Sequence, residues 1–312
     1  MDSVSKAMTI KYDIAKLNND FSIHSEFTRL EFITGEGDIP VVEIKNSQAS
    51  GRISLQGAHL LSWVPAGQED VIWLSEDATF SAGKSVRGGI PICWPWFGAH
   101  ENNPAYPAHG YARTVMWQVT ETTEIDNGQT QICFKLESNQ LAEKYQQMWP
   151  QPTTAEYIVT LGKTLKLELI THNNSDQAIT IGQALHTYFN VQDISTTTVQ
   201  GLEGKPYLDK TDGFKRKTQS RSVIIDQEVD RVYLETADDV TIKNKQREIT
   251  IKKQGSESTV VWNPWKETAD KMADLGPDGY MNMLCVESAN AADDVRLINS
   301  GQSHKLLVIY QC

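Results

Sequence analysis

A histidine and a glutamate stand where strand patterning would place apolar side chains. His186 interrupts the run "ALHTYFNV", Ala184 to Val191, and Glu287 follows Met283 to Val286 in "NMLCVESANA". Either group costs free energy in an apolar strand unless it is paired or used. Used, each is a candidate for chemistry at a site. Left alone, each has a plainer reading: a hydrogen-bonded core histidine, and a carboxylate that caps a neighbouring loop. Two further segments carry polar groups that strand patterning does not explain. "AYPAHGYART", Ala105 to Thr114, sets His109 beside a glycine with Arg113 four residues on. "SVRGGIPICWPWFG", Ser85 to Gly98, puts Arg87 before two glycines, then two prolines and three aromatics. These too have plain readings: a loop anchor, a salt bridge and core tryptophans.

Other chemistries are excluded by what the motifs lack. The seven histidines show no HxH or HExxH spacing with a third ligand, so no metal is expected. No GxSxG elbow, P-loop or GxGxxG occurs, which argues against a serine hydrolase, a nucleotide enzyme or a Rossmann dehydrogenase. No cofactor is predicted. The formal net charge of −11 argues against nucleic acid, since phosphate backbones need clustered Lys and Arg. The N-terminus has no apolar h-region, and the most apolar runs, such as "KLLVIY", are too short to span a bilayer. Four unpaired-looking cysteines, Cys93, Cys133, Cys285 and Cys312, fit reduced thiols and a cytoplasmic setting.

The elements that must position these groups are strands. "TLKLELITH", Thr164 to His172, alternates Leu165, Leu167 and Leu169 with Lys166 and Glu168. "QICFKLES" and "VTIKNKQREITIKK" alternate likewise, and "DNGQ", "LGKT", "NNSDQ", "KNKQ" and "KQGSES" supply turns between such runs. Short alternating strands with regular turns predict an all-β antiparallel sandwich or barrel. Helical periodicity is confined to "ESNQLAEKYQQMWP", stopped by Pro150. The length allows one large β domain over 27–312, with residues 1–26 as a polar, partly ordered extension.

Six short motifs, "SVRGGIPICWPWFG", "HGYAR", "LHTYFN", "YLDK", "VVWNPW" and "MLCVES", follow one another in that order. In this the chain resembles the hexose-6-phosphate mutarotases, or glucose-6-phosphate 1-epimerases, of the aldose 1-epimerase superfamily, from about Phe27 to the C-terminus. The resemblance implies a large antiparallel β-sandwich of the galactose mutarotase-like type with its site on a concave face. It implies an isomerase that interconverts the α and β anomers of a hexose 6-phosphate, with a sugar phosphate as the small-molecule partner. It places the catalytic histidine on His186 and the catalytic glutamate on Glu287. Substrate contacts fall on Arg87, His109, Arg113 and Asp209. Where several relatives have Gln, this chain has Ala108, which removes one side-chain hydrogen bond to the sugar. The free-sugar aldose 1-epimerases and a non-catalytic sugar-binding sandwich are the alternatives.

On the chemistry the resemblance implies, Glu287 takes the C1 hydroxyl proton while His186 gives one to the ring oxygen, and the roles reverse on closing. That reading expects a protonated His186 beside an ionised Glu287, with Asp209 either the nearby negative charge or a hydrogen-bond partner of the sugar hydroxyls. Arg87 is expected to point into the site and bind the 6-phosphate, Gly88 and Gly89 to let the backbone approach the ligand, and the prolines and aromatics to stiffen the loop.

Overall fold

Alternation along the chain becomes a set of antiparallel ladders. The computed structural model describes residues 12–125 and 128–312. "TLKLELITH" is the strand Leu165–Asn173: Leu165, Leu167 and Leu169 are fully buried, while Lys166 pairs with Glu168 at 2.8 Å on the other face. "QICFKLES" lies in Gln129–Glu137 up to its final serine, and the third alternating run folds as the hairpin Val240–Lys243 and Glu248–Gln254. Each buried leucine removes a whole side chain from water, worth about 1.5–3 kcal/mol. Of the expected "DNGQ" turn, residues 126 and 127 lie outside the described residues; the N–H of Gly128 closes back on the carbonyl of Ile125 at 3.2 Å.

Among the described residues these strands build a nine-stranded sheet, an eight-stranded sheet and a five-stranded sheet. One continuous apolar core joins them. It takes Val159 and Leu167 from the first, Val261 and Val286 from the second, and Leu30 and Phe32 from the third. The outer face of the eight-stranded sheet has smaller clusters of its own, one of them lined by Cys93, Ala184, Val260 and Ala289. That face carries the candidate site.

The predicted helix appears as a 3₁₀ turn at Ser138–Gln140 followed by a short helix, Glu143–Met148. An unpredicted helix, Ile14–Phe21, lies in the N-terminal segment. Asp13 caps it by accepting the N–H of Lys16 at 3.0 Å. Ile14, Leu17 and Phe21 pack on the core, and the Asn18 amide both donates to and accepts from the backbone of Phe32 at 2.7 Å. The described part of the expected extension is therefore docked on the fold through Ile23–His24, which adds a strand to Thr28–Thr34. Residues 1–11 lie outside the described residues.

Candidate active site

The strand Met283–Asn290 is buried along its whole length on both faces. Leu284 and Val286 face the shared core, and Cys285 and Ala289 face outward with Glu287 between them. A strand covered on both sides has no reason to alternate in polarity, so its one carboxylate stands out. Across from it the chain breaks between two short strands, Gln183–Leu185 and Tyr188–Asn190, which both pair with Met283–Asn290. The registers Leu185↔Ser288 and Tyr188↔Cys285 put His186 at the position opposite Glu287. The His186 N–H is taken by the carbonyl of Pro91 at 3.0 Å, which fixes the break.

The two side chains meet there. His186 Nε2 lies 3.3 Å from Glu287 Oε1, with the glutamate side chain 2% exposed and the imidazole 12%. The other nitrogen of the ring, Nδ1, and the other carboxyl oxygen, Oε2, are buried with no hydrogen-bond partner among the described residues. Buried polar atoms are usually paired, so these two are free to take a partner from a ligand or water. Aromatic rings hold the imidazole: Tyr188 stacks on it at 5.0 Å and 17°, and Trp262 presents an edge at 6.0 Å.

Burial sets the charge of the pair, and here the expected protonation state is corrected. Desolvation pushes His186 well below the ordinary imidazole range, helped by His109 and Arg113. Desolvation also pushes Glu287 well above the ordinary carboxyl range, against the pull of Lys210 and Arg113. Both shifts disfavour charge, so burial favours a neutral imidazole beside a protonated carboxyl over an ion pair across the 3.3 Å contact. The imidazolium–carboxylate form has the same total charge and differs only by transfer of the carboxyl proton.

His109 is the second ring of the site, 5.9 Å from His186. Its backbone is left-handed, with φ +66°, and its Nδ1 accepts the N–H of Gly98 at 3.3 Å. Burial, then Arg113 and Lys210, lower it to about 3, so the ring is neutral and its proton sits on Nε2 as a donor. Arg113 donates from Nη2 to the carbonyl of Ala108 at 3.0 Å, and no carboxylate pairs with it among the described residues. It is the unneutralised cation whose field reaches His109, His186 and Glu287 alike. Position 108 thus serves Arg113 through its backbone.

Arg87 is at the rim and already engaged. Its Nη1 donates to the Tyr188 hydroxyl at 3.0 Å, and its Nε donates to Asp274 at 3.2 Å. The glycines beside it serve the protein. Gly88 and Gly89 have φ of +103° and +69°, and a Cβ on Gly89 would lie 2.4 Å from the Nε2 of His59. That buried imidazole donates to the carbonyl of Gly88 at 2.8 Å. The close approach expected toward a ligand is therefore an approach to His59 and to the Trp73–Leu74 backbone. Trp94 and Trp96 are buried, anchored to Thr171 and the carbonyl of Pro107, and Phe97 presents its ring to His109 at 4.8 Å.

Asp209 is not brought to the pair. It sits opposite Arg231, on the face with Tyr207 and Tyr233, whereas its neighbour Leu208 packs on the outer face. Its carboxylate accepts from Thr211 and pairs with Lys217 at 2.8 Å. The acidic residue that feels Glu287 is Asp230, which pairs with Lys210 at 2.6 Å. The signal for it was a carboxylate inside the strand "VDRVYL", Val229–Leu234. Lys210 was visible as the last residue of "YLDK". Among the described residues no group of three or more His, Cys, Asp or Glu is placed to hold a metal ion. No helix of the described residues is long and apolar enough to cross a membrane.

The site is thus a buried His–Glu pair in 3.3 Å contact, flanked by a neutral donor histidine and an arginine without a carboxylate partner among the described residues. Comparison with known proteins gives the family. The family model "Aldose 1-epimerase" matches residues 40–311, and the chain belongs to that family. It is 34% identical over 270 residues, 86% of this chain and 88% of the relative, to an Escherichia coli protein described as "Putative glucose-6-phosphate 1-epimerase". A Salmonella typhimurium protein of the same description is 36% identical over 81% of this chain and 84% of its own. The crystal structure of a "putative mutarotase" from Salmonella typhimurium superposes with a TM-score of 0.83 at 30% identity, covering 96% of this chain and 99% of that one.

Proposed function

We propose that this protein interconverts the α and β anomers of a hexose 6-phosphate, glucose 6-phosphate first among them, through His186 and Glu287. The observation that carries the reading is the buried 3.3 Å contact between these two groups, each with one further polar atom unpartnered. Anomer exchange opens the C1–O5 bond, rotates about C1–C2 and closes the ring on the other face. Opening removes the proton of the C1 hydroxyl and delivers one to the ring oxygen. Glu287 acts as base from the form in which His186 holds the pair's proton, and His186 delivers that proton to O5. Closing runs the same transfers backwards, so the pair ends as it began and no redox step or external reactant enters. Each positioned transfer is typically worth about 10²–10⁴ in rate. In this reading the Nε2–H of neutral His109 and the Lys210–Asp230 pair hold ring hydroxyls, and Arg87 and Arg113 supply the field for the phosphate. Asp209 acts by fixing the turn that carries Lys210. A phosphorylated sugar does not cross a bilayer, which supports a cytoplasmic place of work.

Two-dimensional exchange NMR on equilibrated glucose 6-phosphate tests this. Cross-peaks between the α and β anomeric protons should strengthen in proportion to added protein. Binding without added exchange would make the protein a sugar-binding sandwich. Faster exchange of free glucose than of the phosphate would make it a free-sugar epimerase.

A further inference from the structure

Tyr188 touches both halves of the site. It follows His186 by two residues and sits opposite Cys285, so its ring lies on the same face as Glu287. The ring is near-parallel to the His186 imidazole at 5.0 Å and 17° and to Trp73 at 5.9 Å and 21°. Trp262 meets it edge-on at 6.0 Å and 84°. Three rings thus fix a side chain that is only 3% exposed. At its outer end the hydroxyl accepts Nη1 of Arg87 at 3.0 Å. Asp274, on the segment between the helices Trp265–Ala269 and Gly279–Asn282, takes Nε of the same guanidinium at 3.2 Å. Among the described residues Nη2 has no partner, so the two contacts leave one edge of the fork to face solvent at the rim.

We infer that Tyr188 is a positioning residue that joins phosphate recognition to proton transfer: its ring sets the plane of the His186 imidazole and its hydroxyl aims the Arg87 fork. The inference rests on the phosphate role proposed above for Arg87. An aromatic side chain with two rotatable bonds, locked by packing, is stiff enough to serve both ends at small entropic cost. A sugar phosphate gripped at the rim is thereby registered against the base and acid at the other end of the same ring. A bound sugar without phosphate uses only the inner half of the device.

Two substitutions separate the halves. Tyr188→Phe keeps the stack and deletes the hydroxyl. For glucose 6-phosphate its kcat/KM should fall about fivefold further than for glucose, mostly through KM, on the scale of one partly exposed charged contact. Tyr188→Leu deletes the stack as well, and a displaced imidazole should lower kcat by about 10- to 100-fold on both sugars. Arg87→Ala is the control. If Arg87→Ala is selective for the phosphorylated sugar and Tyr188→Phe is not, the inference falls and the proposed function stands. If Arg87→Ala weakens both sugars equally, the phosphate reading itself falls. If Tyr188→Phe lowers kcat on both sugars as far as Tyr188→Leu, the hydroxyl acts at the reacting atoms and the division of labour is wrong.

Discussion

Replacing Glu287 by Gln should inactivate the protein and at the same time make it more stable, by an amount that grows with pH. Glu287 is 1% exposed, and burial raises its folded-state value well above the ordinary 4.5. The unfolded chain releases the carboxyl proton near 4.5 while the folded chain keeps it. Folding must then take up a proton, and stability falls as pH rises from about 4.5 toward the folded value. The slope is about 1.4 kcal/mol per pH unit for one proton. Gln has nearly the same shape and does not titrate, so the variant escapes this loss. The two proteins should melt at similar temperatures at pH 4.5 and then diverge. At about 2 °C per kcal/mol for a chain of this size, the gap should open by about 3 °C per pH unit. Thermal melts of both proteins from pH 4.5 to 7, beside exchange NMR on the same samples, make the measurement. Exchange should drop by about 10² or more in the variant. A gap in Tm that does not change with pH would refute the protonated-carboxyl assignment, and near-wild-type exchange in a folded variant would refute the catalytic one.

His186→Asn should likewise cost about 10² or more in exchange rate, and the double variant little beyond either single one, because neither proton transfer helps without the other. Since burial lowers His186, the acid limb of kcat should lie below pH 6.5, the ordinary imidazole value; a limb at or above 6.5 would show an exposed or carboxylate-paired imidazolium instead. Arg113→Ala should lower kcat/KM for glucose 6-phosphate by about 10- to 150-fold, one charge-assisted contact, and far less for glucose; equal losses on both would make Arg113 a sugar-ring or structural contact. Gly110→Ala should prevent accumulation of folded protein, because φ is +70° and the new Cβ would lie 1.9 Å from the carbonyl oxygen of Trp94, where no side chain can yield; a variant that folds and melts like wild type would show that the loop can move. Chelators should leave exchange unchanged, and activity lost in EDTA but restored by a divalent ion would overturn the metal-free mechanism.

What could be read from the sequence follows from how each signal arises. Solvent on one face writes alternation into strands such as Leu165–Asn173, so the antiparallel architecture was legible there. Glu287 was legible for the converse reason, as a carboxylate in a strand covered on both faces, and His186 as a polar group in an otherwise apolar run, which folds as the break between Gln183–Leu185 and Tyr188–Asn190. Their charge was not, because it depends on desolvation by elements distant in sequence. Asp209 was named because the resemblance places a substrate-contacting aspartate in "YLDK"; only the pairing of Pro206–Asp209 with Val229–Leu234 shows that Asp230 is the carboxylate on the side of the pair. The helix Ile14–Phe21 was missed because its apolar stripe is just Ile14, Leu17 and Phe21, all only partly buried. The glycines at 88 and 89 were expected to let the backbone approach a ligand, and one sequence cannot say that the group they approach is His59.

The pairing of His186 opposite Glu287 has a consequence for how the chain finds its native register. Side chains on a strand alternate faces, so sliding Met283–Asn290 by one residue against its neighbours would turn Glu287 into the shared core and bring Val286 or Ser288 to the site. A carboxyl forced among Leu167, Val261 and their neighbours with no partner would cost several kcal/mol, whether it stayed charged or took up a proton. A purely apolar strand, tolerated on either face, would carry no such penalty. The group proposed to move the proton is thus also a marker that tells the folding sheet which alignment is correct, and a misaligned chain would be unstable.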